Sequence, residues 1–123
     1  MKEFAGVEAE RYAADVALGL PGATTDQPFG PDVEVYRVAG KIFMLTGGRL
    51  HVTLKCPPHE ALELRAEFPS ITPGYHMNKR HWITVEPGPG ITPEVVEELV
   101  HTAYDALLAT LPRTKRPFVP RDL

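Results

Sequence analysis

The sequence predicts an α+β domain in which helices cover one face of an antiparallel sheet. Three observations lead there. Leu50, Val52 and Leu54 alternate with His51, Thr53 and Lys55, the two-residue period of a strand with one buried and one wet face. Two glycine-bearing breaks, Ala39-Gly40 and Gly47-Gly48, join three short β-rich runs, the pattern of a meander. Beyond Thr92-Pro93, residues Val95, Val96, Leu99, Val100, Ala103, Ala106, Leu107 and Leu111 recur in a broad apolar stripe at helical spacing.

The elements follow in order. Residues 3–18 set Ala5, Ala9, Tyr12, Ala13 and Val16 on one side of a first helix, with Glu8, Arg11 and Asp15 between them, and Gly19 and Pro21 close it. The runs VEVYRV, KIFML and LHVTLK form the three strands of the meander. Cys56-Pro57-Pro58 stops the third, and HEALELRAEF reads as a short second helix with Ala61, Leu62, Arg65 and Phe68 near one stripe. A further strand is expected at HWITVE, and Pro87-Gly88-Pro89-Gly90 breaks it. Thr92 can cap the last helix through its hydroxyl, with Pro93 in the first turn. The expected order is α-β-β-β(-β)-α-β-α, with residues 1–111 as a single domain, a basic, proline-containing tail at 112–123, and an open sheet face opposite the helices.

Bulk properties narrow the classes. A chain of 123 residues divided in two would leave each half a marginal core, so one core is expected. At 43% hydrophobic and 24% charged residues, the composition is that of a folded domain rather than a disordered one. A lone cysteine cannot make an intrachain disulfide and the chain start lacks a basic, apolar signal pattern, so a reducing cytoplasmic setting is expected. No apolar run approaches the roughly 20 residues of a membrane helix, which argues against a membrane role. The formal net charge of −3 argues against a uniformly cationic surface. Its distribution is uneven: residues 33–82 hold seven Lys and Arg against four Glu, a local charge of +3, while the first and last helical segments are acidic.

The stretch ITPGYHMNKRHWITV concentrates chemistry between the second helix and the last strand. Pro73-Gly74 sets a turn, and Tyr75, His76, Asn78, Lys79, Arg80, His81 and Trp82 bring stacking surfaces, hydrogen-bond donors and positive charge into one loop. With Lys41 and Lys55 from the meander, and Arg113, Lys115 and Arg116 from the tail, these cations suit phosphate contacts; Asn78 and Arg80 are the nearest candidates to read a base. The same residues admit a structural reading in which Tyr75, His76 and Trp82 pin the loop to the sheet and the cations are simply solvated.

The blocks LPGATTDQPFGPDVEVYRVAGKIFML, LKCPPHEALELRAEFPSI and PGYHMNKRHWITV, in this order, are similar to the MmcQ/YjbR family over about residues 16–110. The resemblance implies a frataxin/CyaY-like α+β fold and a DNA-binding role, and it implies no catalytic residue.

Other chemistry finds less support. Cys56, His59, His76, His81 and His51 match no standard metal-ligand spacing, so no metal or other cofactor is expected. Cys56 precedes a helix start, where a thiolate would be favoured, and His59 is one turn away, but no third partner is set by spacing and an inert buried thiol is the simpler reading. The expectation is a non-enzymatic binding domain for DNA, salt-sensitive, through Lys55, Tyr75, His76, Asn78, Lys79, Arg80, His81 and Trp82. The alternative is a small-ligand or protein-interaction domain using the 73–82 loop and the open sheet face.

Overall fold

The computed structural model describes residues 6–118. Ala5 and the last five residues of the tail lie outside them. Among the described residues three α-helices, α1 (Gly6–Leu18), α2 (Pro58–Glu67) and α3 (Pro93–Leu108), accompany six strands: β1 (Thr24–Asp26), β2 (Glu34–Val38), β3 (Lys41–Thr46), β4 (Val52–Lys55), β5 (Ile71–Pro73) and β6 (Trp82–Val85). The strands form one sheet in the order β1-β2-β3-β4-β6-β5, with every neighbouring pair antiparallel. The α+β reading holds, and the meander and the three helices are where the pattern put them. The fourth strand allowed before α2 is β1, at the sheet edge ahead of the meander, and the other edge strand, β5, was not expected.

All three helices pack on one sheet face. Ala13 and Ala17 of α1, Ala61 of α2, and Val96, Val100, Ala103 and Leu107 of α3 close over Tyr36, Met44, Val52, Leu54, Ile83 and Val85. Thr92 caps α3 as its hydroxyl accepts the Val95 N–H at 3.2 Å. A bulge brings an extra side chain into this core: Tyr36 pairs with Met44 and Arg37 with Ile42, so Phe43 has no partner across the ladder. Phe43 and Met44 therefore both face the helices, and the Phe43 ring meets Tyr104 edge-on at 5.7 Å.

The second helix is turned differently from its expected stripe. Ala61 is buried and Leu64 and Phe68 pack on the core, whereas Leu62 is 60% exposed. The run HEALELRAEF offers two leucines out of phase with each other, and the sheet selects Leu64.

The opposite sheet face is not the open surface expected. Thr53, expected to face water, is 0% exposed, and Thr84 beside it is 2% exposed. Leu50 belongs not to a strand but to a one-turn 3-10 helix, Gly48–Leu50, that folds back over this face. Together with Val33, Ile42 and Met77, Leu50 packs on Val35, Leu45 and Trp82 in a second, smaller apolar cluster. The tail is partly laid down too, with the Arg116 Nε–H donating to the carbonyl of buried Leu111 at 2.9 Å.

Candidate functional site

The loop from Gly74 to His81 crosses the second sheet face between β5 and β6. It starts so close to β6 that only glycine fits: a Cβ on Gly74 would lie 2.5 Å from the Trp82 Cβ and 3.0 Å from the Trp82 carbonyl carbon. The Gly74 N–H donates to the Trp82 carbonyl at 2.9 Å.

Hydroxyls then hold the loop down. The Tyr75 N–H donates to Thr84 Oγ1 at 2.9 Å, Thr84 Oγ1 lies 2.9 Å from Thr53 Oγ1, and the Thr53 hydroxyl donates to the Leu50 carbonyl at 2.7 Å. A hydroxyl has one proton, so Thr53, having given its own to Leu50, must accept from Thr84. The chain runs in one direction, from Tyr75 N–H through Thr84 and Thr53 to Leu50 C=O, and joins the loop to the 48–50 turn across two strands.

Further along, the Asn78 side chain accepts the Arg80 N–H at 3.0 Å, an Asx turn. Lys79 Nζ donates to the Gly74 carbonyl at 3.0 Å, and the Arg65 guanidinium to the Lys79 carbonyl at 3.2 Å. The Cys56 N–H closes the far end on the His81 carbonyl at 2.8 Å. His76 adopts the left-handed region at φ 59°, where its ring lies 4.1 Å from that of Tyr75.

The expected site residues thus part into groups. Trp82 is 8% exposed and packs into the second cluster, with Lys55 Nζ 5.5 Å above its ring. Tyr75 is half-buried, and His76, Asn78, Lys79, Arg80 and His81 are exposed. Tyr75 and His76 border one concavity, together with Met77. Lys79 and Arg80 border another, and there the structure brings in side chains that the sequence pattern does not single out.

That second concavity, about 490 Å3, lies between α2 and the loop and is lined by Pro58, His59, Leu62, Arg65, Pro73, Lys79 and Arg80. No carboxylate of the described residues lines it. Its counterpart on the other flank of α2, about 480 Å3, faces α3 and carries Glu60, Glu63, Glu67 and Glu98 over Leu64, Phe68, Val95 and Leu99. Helical spacing explains the division: 60, 63 and 67 fall on one side of α2, and 58, 62 and 65 on the other. That signal is present in the sequence, but counting Leu62 and Arg65 as core stripe hides it.

Cys56 is 2% exposed, and burial, reinforced by the Glu60 charge, pushes its thiol up to about 11, the opposite of activation. His51 faces Glu86 at 3.6 Å and His59 faces Glu63 at 3.7 Å. Among the described residues no three His, Cys, Asp or Glu side chains gather as a metal site would need, and no helix is long and apolar enough to cross a membrane.

Fold and site define a small α+β domain that ties one polar loop between a sheet face and a helix flank. The chain belongs to the YjbR family, whose model matches residues 18–106. It is 39% identical over 99 residues to the uncharacterized protein YbdF of Escherichia coli O157:H7, covering 78% of this chain and 81% of that one. Among solved structures it is similar to the DUF419-domain protein DR2400 of Deinococcus radiodurans, at 30% identity and a TM-score of 0.75, over 83% of this chain and 80% of that one. It is also similar to a Pseudomonas syringae protein, at 27% identity and a TM-score of 0.59, over 68% and 86% of the two chains. These likenesses establish the α+β fold of the family; the frataxin/CyaY-like label rests on the sequence resemblance alone.

Proposed function

We propose that this chain is a non-enzymatic, cytoplasmic DNA-binding domain that contacts phosphates through Arg65, Lys79 and Arg80. The observation that carries the reading is their convergence, from α2 and from the loop, on one concavity that no carboxylate of the described residues lines. Guanidinium groups match phosphate geometry with paired donors, and the internal hydrogen bonds of Arg65 and Lys79 hold those long side chains near place. Lys55, at the strand end paired with Trp82, adds charge at the same end of the sheet. Asn78 spends its carbonyl oxygen on its own turn, and Trp82 is buried, so base stacking and base reading have little to work with. Binding is therefore indifferent to sequence and driven by charge. The acidic groove beyond α2 repels the same backbone, which orients the duplex toward the loop.

The experiment is a titration of labelled duplex and single strands over a range of salt, for the native chain and for the Arg65→Ala/Lys79→Ala/Arg80→Ala variant. Every phosphate left without its cation flattens the log–log salt slope by about 0.9 on duplex, so the triple variant flattens it by roughly 2.7. No binding at low salt, or an unchanged slope in the variant, overturns the reading.

A further inference from the structure

The other concavity bordered by the loop lies on the far side of it, and its chemistry is different. About 380 Å3 in volume, it is walled by Phe29, Val33, Leu45, Leu50, Tyr75 and Met77, with Arg49 and His76 at its rim. Three separate segments build it: the approach to β2, the 47–50 turn and the start of the loop. The hydroxyl chain from Tyr75 to Leu50 ties two of those segments together, so the walls are held at a set separation. Non-glycine residues in rarely adopted backbone conformations flank it on both sides, His51 at φ 45° and His76 at φ 59°. Backbone held in such regions costs free energy and gathers at ligand sites.

Its lining specifies what it can take. The volume falls at the lower end of small-molecule pockets, enough for a fused or linked pair of rings. The walls are carbon-rich and include an aromatic ring, Phe29, which is 66% exposed and so open to a ligand. No carboxylate of the described residues lines the pocket. The Arg49 guanidinium makes no ion pair or hydrogen bond with the side chains and carbonyls of the described residues. A nucleobase, with its ring of donors and acceptors, would find few polar partners here.

The geometry points to a binding site for a small, planar aromatic molecule bearing one anionic group, its rings against Phe29, Leu45 and Met77 and its anion at Arg49. This site is independent of the phosphate contacts proposed above, which lie on the other side of the loop.

The probe is 8-anilinonaphthalene-1-sulfonate, two linked aromatic units with a single sulfonate, titrated into the full chain with near-UV circular dichroism confirming the native state. Saturable, one-to-one fluorescence enhancement is expected, with energy transfer from Trp82, which shares a cluster with Leu45 and Met77. Phe29→Ala removes an exposed wall and raises the Kd about tenfold, the effect of taking away one aromatic face. Arg49→Glu raises it roughly fivefold, as expected for an exposed charge pair. N-phenyl-1-naphthylamine, the same rings without the sulfonate, binds more weakly and is indifferent to Arg49→Glu. The Arg65→Ala/Lys79→Ala/Arg80→Ala variant retains probe binding, whatever becomes of its DNA binding. Absent or unsaturable enhancement, or a Kd untouched by Phe29→Ala, overturns the site; equal binding of both probes, unaffected by Arg49→Glu, overturns its preference for an anion.

Discussion

Replacing Thr84 by valine keeps the shape of the side chain and removes one hydroxyl, and that single atom has two clients. The Tyr75 N–H loses its acceptor, and the Thr53 oxygen loses its donor. Leaving a half-buried amide unpaired costs on the order of 1–2 kcal/mol, and the broken hydroxyl–hydroxyl bond adds about 0.5–1 kcal/mol, so the expected loss is about 2 kcal/mol. At the usual unfolding entropy per residue, that lowers the Tm of a chain of this size by about 8 °C. Thr53→Val strands the Leu50 carbonyl and breaks the same Thr53–Thr84 bond, at a similar cost. Because both variants delete that shared bond, the double variant costs about 1 kcal/mol less than the sum of the two. Trp82, the lone tryptophan and a member of the cluster beneath the loop, reports unfolding in urea by its emission. Amide exchange at Tyr75, protected in the native chain, should accelerate in Thr84→Val. Single variants within about 0.5 kcal/mol of the native chain, or strict additivity in the double, would refute the directional chain of hydroxyls.

Two further outcomes follow from the same packing. Gly74→Ala places a methyl 2.5 Å from the Trp82 Cβ and 3.0 Å from the Trp82 carbonyl carbon, and should cost about 2–3 kcal/mol in urea unfolding. It should also shift the Trp82 emission to the red as the loop lifts. The Cys56 thiol, raised from 9.0 to about 11 by burial, is neutral in the folded state over a range where the unfolded chain ionises. Its contribution is therefore fully present below pH 9 and is lost as pH rises through 11, about 3 kcal/mol in all. Urea midpoints of the native chain and Cys56→Ala should converge across that window, and parallel curves would show the thiol to be exposed.

Much of this fold is legible in the residues because period and burial agree there. The α3 stripe faces a continuous core, and Val52 and Leu54 face it too, so helical and two-residue spacings translate directly into packing. Legibility fails where burial comes from the loop rather than from a helix. Thr53 and Thr84 look like a wet strand face, and the crossing of residues 74–81 together with the turn at 48–50 buries them, a packing with no local period. The edge strands β1 and β5 are three residues each, too short for any alternation to show. For the site, the dense loop is visible in the sequence but its division is not. Tyr75, His76 and Met77 go to one side and Lys79 and Arg80 to the other because the left-handed turn at His76 and the Asx turn at Asn78 reverse the chain between them. Arg65 joins the cations only because Leu64, not Leu62, takes the core position on α2.

The two borders of the sheet carry a consequence for how any partner is met. A strand at an edge is an unfilled row of amides and carbonyls, and chains that aggregate or thread into one another do so by extending that row. Here β1 and β5 are three residues each, β5 ends in Pro73, which has no N–H to give, and Asp26 of β1 is held in an ion pair with Arg37 at 3.0 Å. An incoming strand would gain too few backbone bonds at either border to offset its ordering. Strand addition is thus a poor route onto this molecule, and whatever it recognises must be recognised by its side chains.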